Sequence, residues 1–476
     1  MHKHPDAMAR LVLAARSRAR SDTSECPRLE FTQPVEWPVD CVVGPGLEGA
    51  IACESRIGYV NGSRGSLVYR GYDIFDLCAF SSFEEVAYLL LHGSLPSSKE
   101  LATFRAILVS YRNLPLTLRR LMSFPVEAMN PMATLRLGAN LMHQEFTKSD
   151  QQTRAIESQT IIGSDEDSIA METPPVGSAK AVYEFKRTLA AAPLNSETEP
   201  TDPTGWHACY HLISGLPTLV SAIGRLQSGL MPIDPDPELG HAANFLYMLT
   251  GRRPTPIEER IMDICLILHA DHGMNASTFA ALVVASTQAD MYFSVGAGIS
   301  ALSGPLHGGA NELSLQNLKE IGGPDEVDSW YEASRENAPR IPGFGHRVYN
   351  AYDPRARALA PLARYLAESN AELAIIFATA EALAKKVVSE LRGKGVFPNV
   401  DFYSGLVYSG LGIPSSLFTP CFAISRVAGW TARVQEYLEN NRIFRPRAVY
   451  VGPLDQEYVS IDQRSIGDEE STKADD

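Results

Sequence analysis

Cysteine is scarce and poorly placed for cross-linking. The seven present, Cys26, Cys41, Cys53, Cys78, Cys209, Cys265 and Cys421, are scattered, odd in number, and never stand as a CxxC pair. That pattern argues against both a disulfide framework and a cysteine zinc cage, and for reduced thiols inside a cell. Positive charge is in deficit too: 42 Lys and Arg against 56 Asp and Glu leave a net charge of -14. Sequence-independent binding of nucleic acid needs the opposite balance, although a few converging arginines would still hold a small anion. Long apolar runs are missing as well. Phe279 to Ser303 comes nearest to a membrane span, but Gln288 and Asp290 interrupt it and Gly296 and Gly298 weaken it. It reads as one or two buried helices, whose Ala, Ser and Gly let neighbours approach closely. Neither a secretory signal nor an internal repeat is visible, and the acidic C-terminus does not end in a peroxisomal tripeptide.

What is present is helical pattern. With 476 residues, 45% of them hydrophobic, the chain can build one large domain and a smaller one. Ser82-Phe83-Glu84-Glu85 is a capping box that opens an apolar run closed by Gly93. Ser98 is placed to cap the next helix; Pro256 with Glu258 and Glu259 starts another, and Asp353-Pro354 a third. Ala371–Leu391 and Pro420–Leu438 keep helical spacing throughout. One early exception stands out. Ile57-Gly-Tyr-Val and Leu67-Val-Tyr-Arg flank the turn-forming pair Asn61-Gly62, which predicts a β-hairpin. The expected class is therefore mainly α with a small N-terminal hairpin.

Two stretches read as peripheral. Residues 1–45 are polar and proline-dotted; within them Met8–Arg20 fits a basic amphipathic helix, either a mitochondrial presequence or a loose tail. Residues 145–204 are rich in Ser, Thr, Gln, Glu and Pro and read as a flexible insertion, with one short helix expected at Val182–Leu189.

Several constellations bear chemistry. In Leu268–Asn275, His269 and His272 share a helical face beside Asp271. A metal reading is weak there, because no HExxH pattern or cysteine cluster joins them. His207 and His211 raise the same question and read as ordinary helix histidines. His307 sits in Gly-Pro-Leu-His-Gly-Gly, and His346 in Pro342-Gly343-Phe344-Gly345-His346-Arg347, with Arg355 following. Glycine beside histidine permits close approach by a ligand, and the arginines suit an anion, so acid/base chemistry on an anionic substrate is indicated. Asp401, between apolar neighbours in Pro398–Gly405, is either a buried carboxylate with a raised pKa or a helix cap.

Together these motifs resemble the citrate synthase family. LEGAIACES, YRGYDI, LHADHGMNAST, GPLHGGANE, PGFGHRVYNAYDPRA, PNVDFYSG and FRPRAVYVGP occur in the family's order, over residues 45–144 and 205–455. The likeness is to the shorter bacterial-type branch, which includes 2-methylcitrate synthases. It implies a two-domain helical fold: a large domain of 46–308 and 413–455, a small one of 309–412, a 1–45 extension and a 456–476 acidic tail. It implies condensation of an acyl-CoA with oxaloacetate, with acetyl-CoA as the acyl donor or, alternatively, propionyl-CoA or a longer chain. A non-catalytic dimeric scaffold on the same fold is the remaining alternative.

By resemblance, His307 hydrogen-bonds the thioester carbonyl, Asp401 removes the α-proton, and His346 polarises the 2-oxo carbonyl. His272, Arg355, Arg426 and Arg445 hold oxaloacetate, Arg445 reaching in from the other subunit of a homodimer with shared sites. Pro342, Gly343, Phe344, Gly345 and Arg347 lie along CoA. No metal or other cofactor is implied, nor any nucleic acid or membrane, and the expected place is the cytoplasm or the mitochondrial matrix. Three positions depart from the family pattern: Gly273 replaces an acid, Leu282 an arginine, and Asn350 a lysine. They bear on CoA affinity and substrate choice.

Overall fold

In a computed structural model of the chain, the residues described are 6–22, 32–143, 205–337 and 340–461, less 455, 457 and 459. The expected insertion at 145–204, its helix at Val182–Leu189 and residues 462–476 of the tail lie outside them.

The described residues hold seventeen α-helices and one small sheet. Strands β1 (Gly58–Asn61) and β2 (Ser66–Tyr69) form the expected hairpin, Gly58 opposite Tyr69 and Asn61 opposite Ser66. Asn61 is thus the last residue of its strand, and the turn is the four residues 62–65 rather than a two-residue Asn-Gly turn. A third strand, β3 (Tyr72–Asp73), adds to β2 and makes the sheet three-stranded. Asp73 then caps α2 (Ile74–Phe80).

Helix starts follow local chemistry. Ser82 and Glu85 form the expected capping box on α3 (Phe83–His92), with Gly93 left-handed behind it. For α4 (Ser98–Ser110) the cap is Ser97, one residue earlier than expected, because only Ser97 has a glutamate, Glu100, three residues on to close the box. After α5 (Pro115–Leu121), α6 (Pro131–Met142), α7 (Trp206–Gln227) and α8 (His241–Thr250), Thr255 and Glu258 box the start of α9 (Pro256–His269). The long apolar run becomes two helices, α10 (Ala276–Ser286) and α11 (Met291–Leu302). Gln288, at φ 65°, and the capping Asp290 make the turn between them.

Two helices are buried on every side. α7 is buried continuously from His211 to Gly224, and α17 (Phe418–Leu438) from Pro420 to Val434. α17 packs on α3, α7, α9, α10 and α11, making the centre of the larger body. Between α11 and α17 the chain builds a second group: α12 (Ala310–Ile321), α13 (Val327–Asn337), α14 (Pro354–Ala367), α15 (Ala371–Leu391) and α16 (Val400–Gly410). There α16 packs on α12, α14 and α15.

The first helix corrects an expectation. α1 (Ala7–Asp22) is not peripheral: Met8, Ala9, Val12 and Ala15 are buried in the core. It packs on both α14 and α2. Arg16 pairs with Asp76 and lies 3.9 Å from Asp73, and Asp6 sits 3.2 Å from Arg260 on α9. Among the described residues no helix is long and apolar enough to cross a membrane.

Candidate active site

The end of α9 turns sharply at Ala270, and the turn is pinned by charge. Asp271 is fully buried and takes a two-pronged contact from Arg433 of α17, Nε to Oδ1 at 2.7 Å and Nη2 to Oδ2 at 2.8 Å. Arg433 also donates to Ser55 Oγ at 3.0 Å, so the pair ties this turn to the approach to β1. Its partner holds the Asp271 carboxyl below its ordinary value although burial opposes that. Asn275 then caps α10 through the N–H groups of Ser277 and Thr278.

Ser277 sets the orientation of His307. His307 Nε2 lies 2.9 Å from Ser277 Oγ and accepts the Ser277 N–H at 3.3 Å. An acceptor at Nε2 leaves the proton of the neutral ring on Nδ1. Burial, reinforced by Arg426, lowers His307 to about 4, so the ring is neutral at physiological pH.

His346 is fixed in the opposite sense. The N–H groups of Val348 and Tyr349 both point at its Nδ1, at 2.9 and 3.1 Å. Its proton therefore sits on Nε2. Burial and then Arg355 lower it to about 4, partly offset by Asp353. Its ring centroid lies 5.2 Å from that of His272, whose Nε2 meets the Tyr349 hydroxyl at 3.2 Å.

The loop before His346 needs its glycines. Gly343 and Gly345 have φ of 86° and 76°, where a Cβ is strained. A Cβ on Gly343 would also come 2.9 Å from the Phe402 ring. The loop is stitched to the residues before α16: Gly345 N–H to the Phe397 carbonyl at 2.9 Å, Asn399 N–H to the Gly343 carbonyl at 2.8 Å, and Asn399 Nδ2 to the Gly345 carbonyl at 2.9 Å. Those contacts couple His346 to Asp401.

Asn399, not Asp401, caps α16, its Oδ1 accepting the Asp401 N–H at 3.0 Å. The Asp401 carboxyl is thereby released from capping. It is half-buried, and desolvation raises it to about 7 against the pull of Arg355 and Arg426. Those two arginines differ. Arg355 is held by Asp353 through Nε at 3.1 Å and Nη2 at 2.8 Å. Asp353 also accepts the N–H of Arg355, starting α14, and of Val400, starting α16, at 3.2 Å. Arg426 is buried, its Nε 2.6 Å from the His269 carbonyl and its guanidinium carbon 5.0 Å from the centre of the Phe422 ring, and among the described residues no carboxylate pairs with it. Burial and the repulsion of Arg355 lower it to about 10. Two buried guanidiniums that repel each other favour an anionic ligand between them.

His272, His346 and Tyr349 thus meet directly. Arg355 acts electrostatically on His346 and Asp401, and Arg426 on His307 and Asp401. Arg347 is exposed, and Arg445 is exposed on the segment without regular secondary structure beyond α17. Phe444 anchors that segment, its N–H reaching Ser286 Oγ at 3.2 Å. Among the described residues no three His, Cys, Asp or Glu side chains are grouped to hold a metal. His269 is buried with Nδ1 2.6 Å from the Cys265 carbonyl, and His211 meets the Tyr292 hydroxyl. Of the departures, Gly273 takes φ 63°, Leu282 is buried in α10, and Asn350 donates to the Gly62 carbonyl at 3.1 Å.

Sequence reasoning passed over Ser277, Tyr349 and Arg433, and read Asp353 as a helix start, which it is, but not as the partner of the Arg355 guanidinium. Arg433 had a signal: seven residues beyond Arg426, it lies on the same helical face.

Residues 46–447 match the family model described as citrate synthase, C-terminal domain. The citrate synthase of Deinococcus radiodurans is 38% identical over 422 residues, which cover 89% of this chain and 99% of the relative. The structure of citrate synthase from Pyrobaculum aerophilum superposes with a TM-score of 0.73 at 38% identity, covering 91% of this chain and all of the other. That from the thermophilic archaeon Thermoplasma acidophilum, solved as a ternary complex with carboxymethyl coenzyme A and oxaloacetate, gives 0.73 at 30% identity, covering 89% and 100%.

Proposed function

The chain belongs to the citrate synthase family, and from that membership we propose that His307, His346 and Asp401 perform the family's reaction within one cleft. The activity is that of an acyltransferase condensing acetyl-CoA with oxaloacetate to citrate and CoA. A thioester α-C–H is a feeble acid. Asp401, raised to about 7, is a stronger base than a solvated carboxylate. As it takes the proton, charge moves onto the thioester oxygen, where the Nδ1–H of neutral His307 is the donor. A preorganised donor of this kind contributes about 3–4 kcal/mol. The enolate carbon attacks the oxo carbonyl of oxaloacetate, polarised by the Nε2–H of His346. Hydrolysis of the resulting citryl thioester releases CoA. Arg355, Arg426 and His272 hold the oxaloacetate carboxylates, and the loop Pro342–Arg347 lies along CoA. Segment 309–412 forms the smaller body, which closes on oxaloacetate.

The observation that carries these roles is the opposed pinning of the two imidazoles, each neutral with its proton on the nitrogen the reaction uses. Thiol release from acetyl-, propionyl- and butyryl-CoA with oxaloacetate tests the function. Acetyl-CoA is expected to give the highest kcat/KM. One methylene changes discrimination by only about 1–3 kcal/mol, so preference for propionyl-CoA would make the chain a 2-methylcitrate synthase. No release with any thioester would leave a scaffold.

The pH profile follows from the same groups. The base must be ionised, so kcat/KM for acetyl-CoA is expected to fall as pH drops through about 7, the value to which Asp401 is raised. Both histidines stay neutral until about 4, so the limb should have a single-proton slope. A flat profile down to about pH 5.5 would remove Asp401 as the base.

The homodimer is part of this reading. Arg445 stands exposed, and Ile443, Val449, Tyr450 and Val451 beside it are 63, 88, 68 and 91% exposed, an apolar segment suited to a second copy of the chain. Arg445→Ala should weaken oxaloacetate binding, and mixing it with Asp401→Asn should restore part of the activity. Failure to complement would mean that each subunit's site is self-contained.

A further inference from the structure

The β1–β2 turn is built to press on its neighbour. Buried Asn61 closes it from within, its Oδ1 accepting the Arg64 N–H at 2.9 Å and the Ser63 hydroxyl at 3.1 Å. The closed turn rests on the residues just after His346. A Cβ on Gly62 would stand 1.9 Å from the Val348 carbonyl oxygen and 2.8 Å from the carbonyl carbon. Both obstacles are backbone, so no side chain can swing aside. The Gly62 carbonyl in turn accepts the Asn350 N–H at 3.1 Å. Further round the turn, a Cβ on Gly65 would lie 2.5 Å from the Tyr352 carbonyl oxygen.

The peptide touched is the one that matters to His346. The Val348 carbonyl and the Tyr349 N–H are opposite ends of one planar trans unit. That N–H is one of the two donors on His346 Nδ1, at 3.1 Å. The other is the Val348 N–H, at 2.9 Å. Pushing the carbonyl away from Gly62 must tilt the plane and move the N–H with it. The Tyr349 side chain, whose hydroxyl meets His272 Nε2 at 3.2 Å, shifts too.

We propose that Gly62 is a positioning residue for the reaction: its missing side chain lets the hairpin turn seat the 348–349 peptide so that His346 keeps its proton on Nε2. The inference rests on His346 being the donor to the oxo carbonyl. It makes the hairpin, which touches no substrate in this scheme, a support for the second half of the catalysis. The arginines that hold oxaloacetate are anchored elsewhere, by Asp353 and the His269 carbonyl. The turn's hydrogen-bonded link to the groups that hold oxaloacetate is His272, through the Tyr349 hydroxyl, so Gly62 governs polarisation of the bound oxo acid more than its binding.

The test uses the full-length protein with 15N-labelled histidine and [2-13C]oxaloacetate. In the wild type, His346 should show the Nε2–H tautomer, and the bound C2 resonance should move downfield of free oxaloacetate. In Gly62→Ala the His346 signals should shift toward a mixture of tautomers and the C2 resonance back toward its free position. Turnover should fall about 10- to 100-fold, with the Kd for oxaloacetate changed less than about threefold. Asn61→Ala loosens the same turn without adding an atom toward Val348; it should show the same tautomer change at smaller amplitude and serves if Gly62→Ala does not fold. An unchanged tautomer and C2 shift in whichever variant folds would overturn the proposal. A His346→Gln arm separates the two ideas: wild-type turnover there would sink the role of His346 itself, whatever Gly62 does to its tautomer.

Discussion

Asp401→Asn is expected to lower kcat by about a thousandfold or more, within the range general-base removal costs, while oxaloacetate still binds. The amide keeps the shape but cannot accept the α-proton. The same change should stabilise the fold, and the sign follows from proton linkage. Folded Asp401 holds its proton up to about 7, whereas an unfolded aspartate loses it near about 3.9. Ionised Asp401 therefore costs stability, a cost absent at low pH that grows as pH rises toward about 7. Because the side chain is only half-buried, the relief in Asp401→Asn at pH 8 should be modest, about 1–2 kcal/mol. Thermal melts at pH 8 and pH 4 check it: a gain at pH 8 that vanishes at pH 4. Wild-type turnover in this variant would remove Asp401 from the reaction, and a lower melting temperature at pH 8 would show its charge to be well accommodated.

Removing either buried guanidinium should cripple oxaloacetate binding, yet the two should move stability in opposite directions. In the proposed assignment each makes a charge-assisted contact to a substrate carboxylate, so Arg426→Met and Arg355→Met should each weaken binding by about 2–4 kcal/mol, roughly 30- to 1,000-fold. Arg355→Met leaves Asp353 buried and without its two-pronged partner, a loss of about 3–5 kcal/mol of folding stability. Asp353 also starts α14 and α16, so the damage should spread into both. Arg426 has no carboxylate to strand among the described residues, and its own burial lowers it to about 10. Arg426→Met should therefore melt at or above the wild-type temperature without ligand and gain little when oxaloacetate is added. Calorimetry with and without oxaloacetate separates the cases. Equal destabilisation of both variants would mean that Arg426 is structurally paired after all.

These opposed outcomes also mark where sequence ran ahead of structure and where it fell short. His307, His346 and Asp401 stood out as candidates because each sits in a short run whose neighbours have their own constraints: glycines at positive φ around His346, an asparagine cap releasing Asp401. Capping boxes were legible for the same reason, although Ser97 rather than Ser98 opens α4, since two adjacent serines differ only in which has a glutamate three residues on. Tautomers were not legible. They depend on Ser277 reaching His307 and on Val348 and Tyr349 folding back over His346, and a linear string does not say which backbone N–H points where. Long-range pairs were hidden likewise: Asp271 and Arg433 are separated by 162 residues. The basic run at the N-terminus was misjudged as peripheral because charge pattern reveals an amphipathic helix but not what its apolar face lands on.

That helix has a practical consequence for anyone shortening the protein. The family match begins at residue 46, so a version trimmed to the recognisable portion would keep every residue proposed to handle substrate and discard α1. It would also strip the apolar cover that Met8, Val12 and Ala15 provide over α14 and α2, exposing oily surface on the helix that carries Arg355 in its first turn. Such a preparation is expected to clump during purification, and its weakened turnover would then report lost packing rather than lost chemistry.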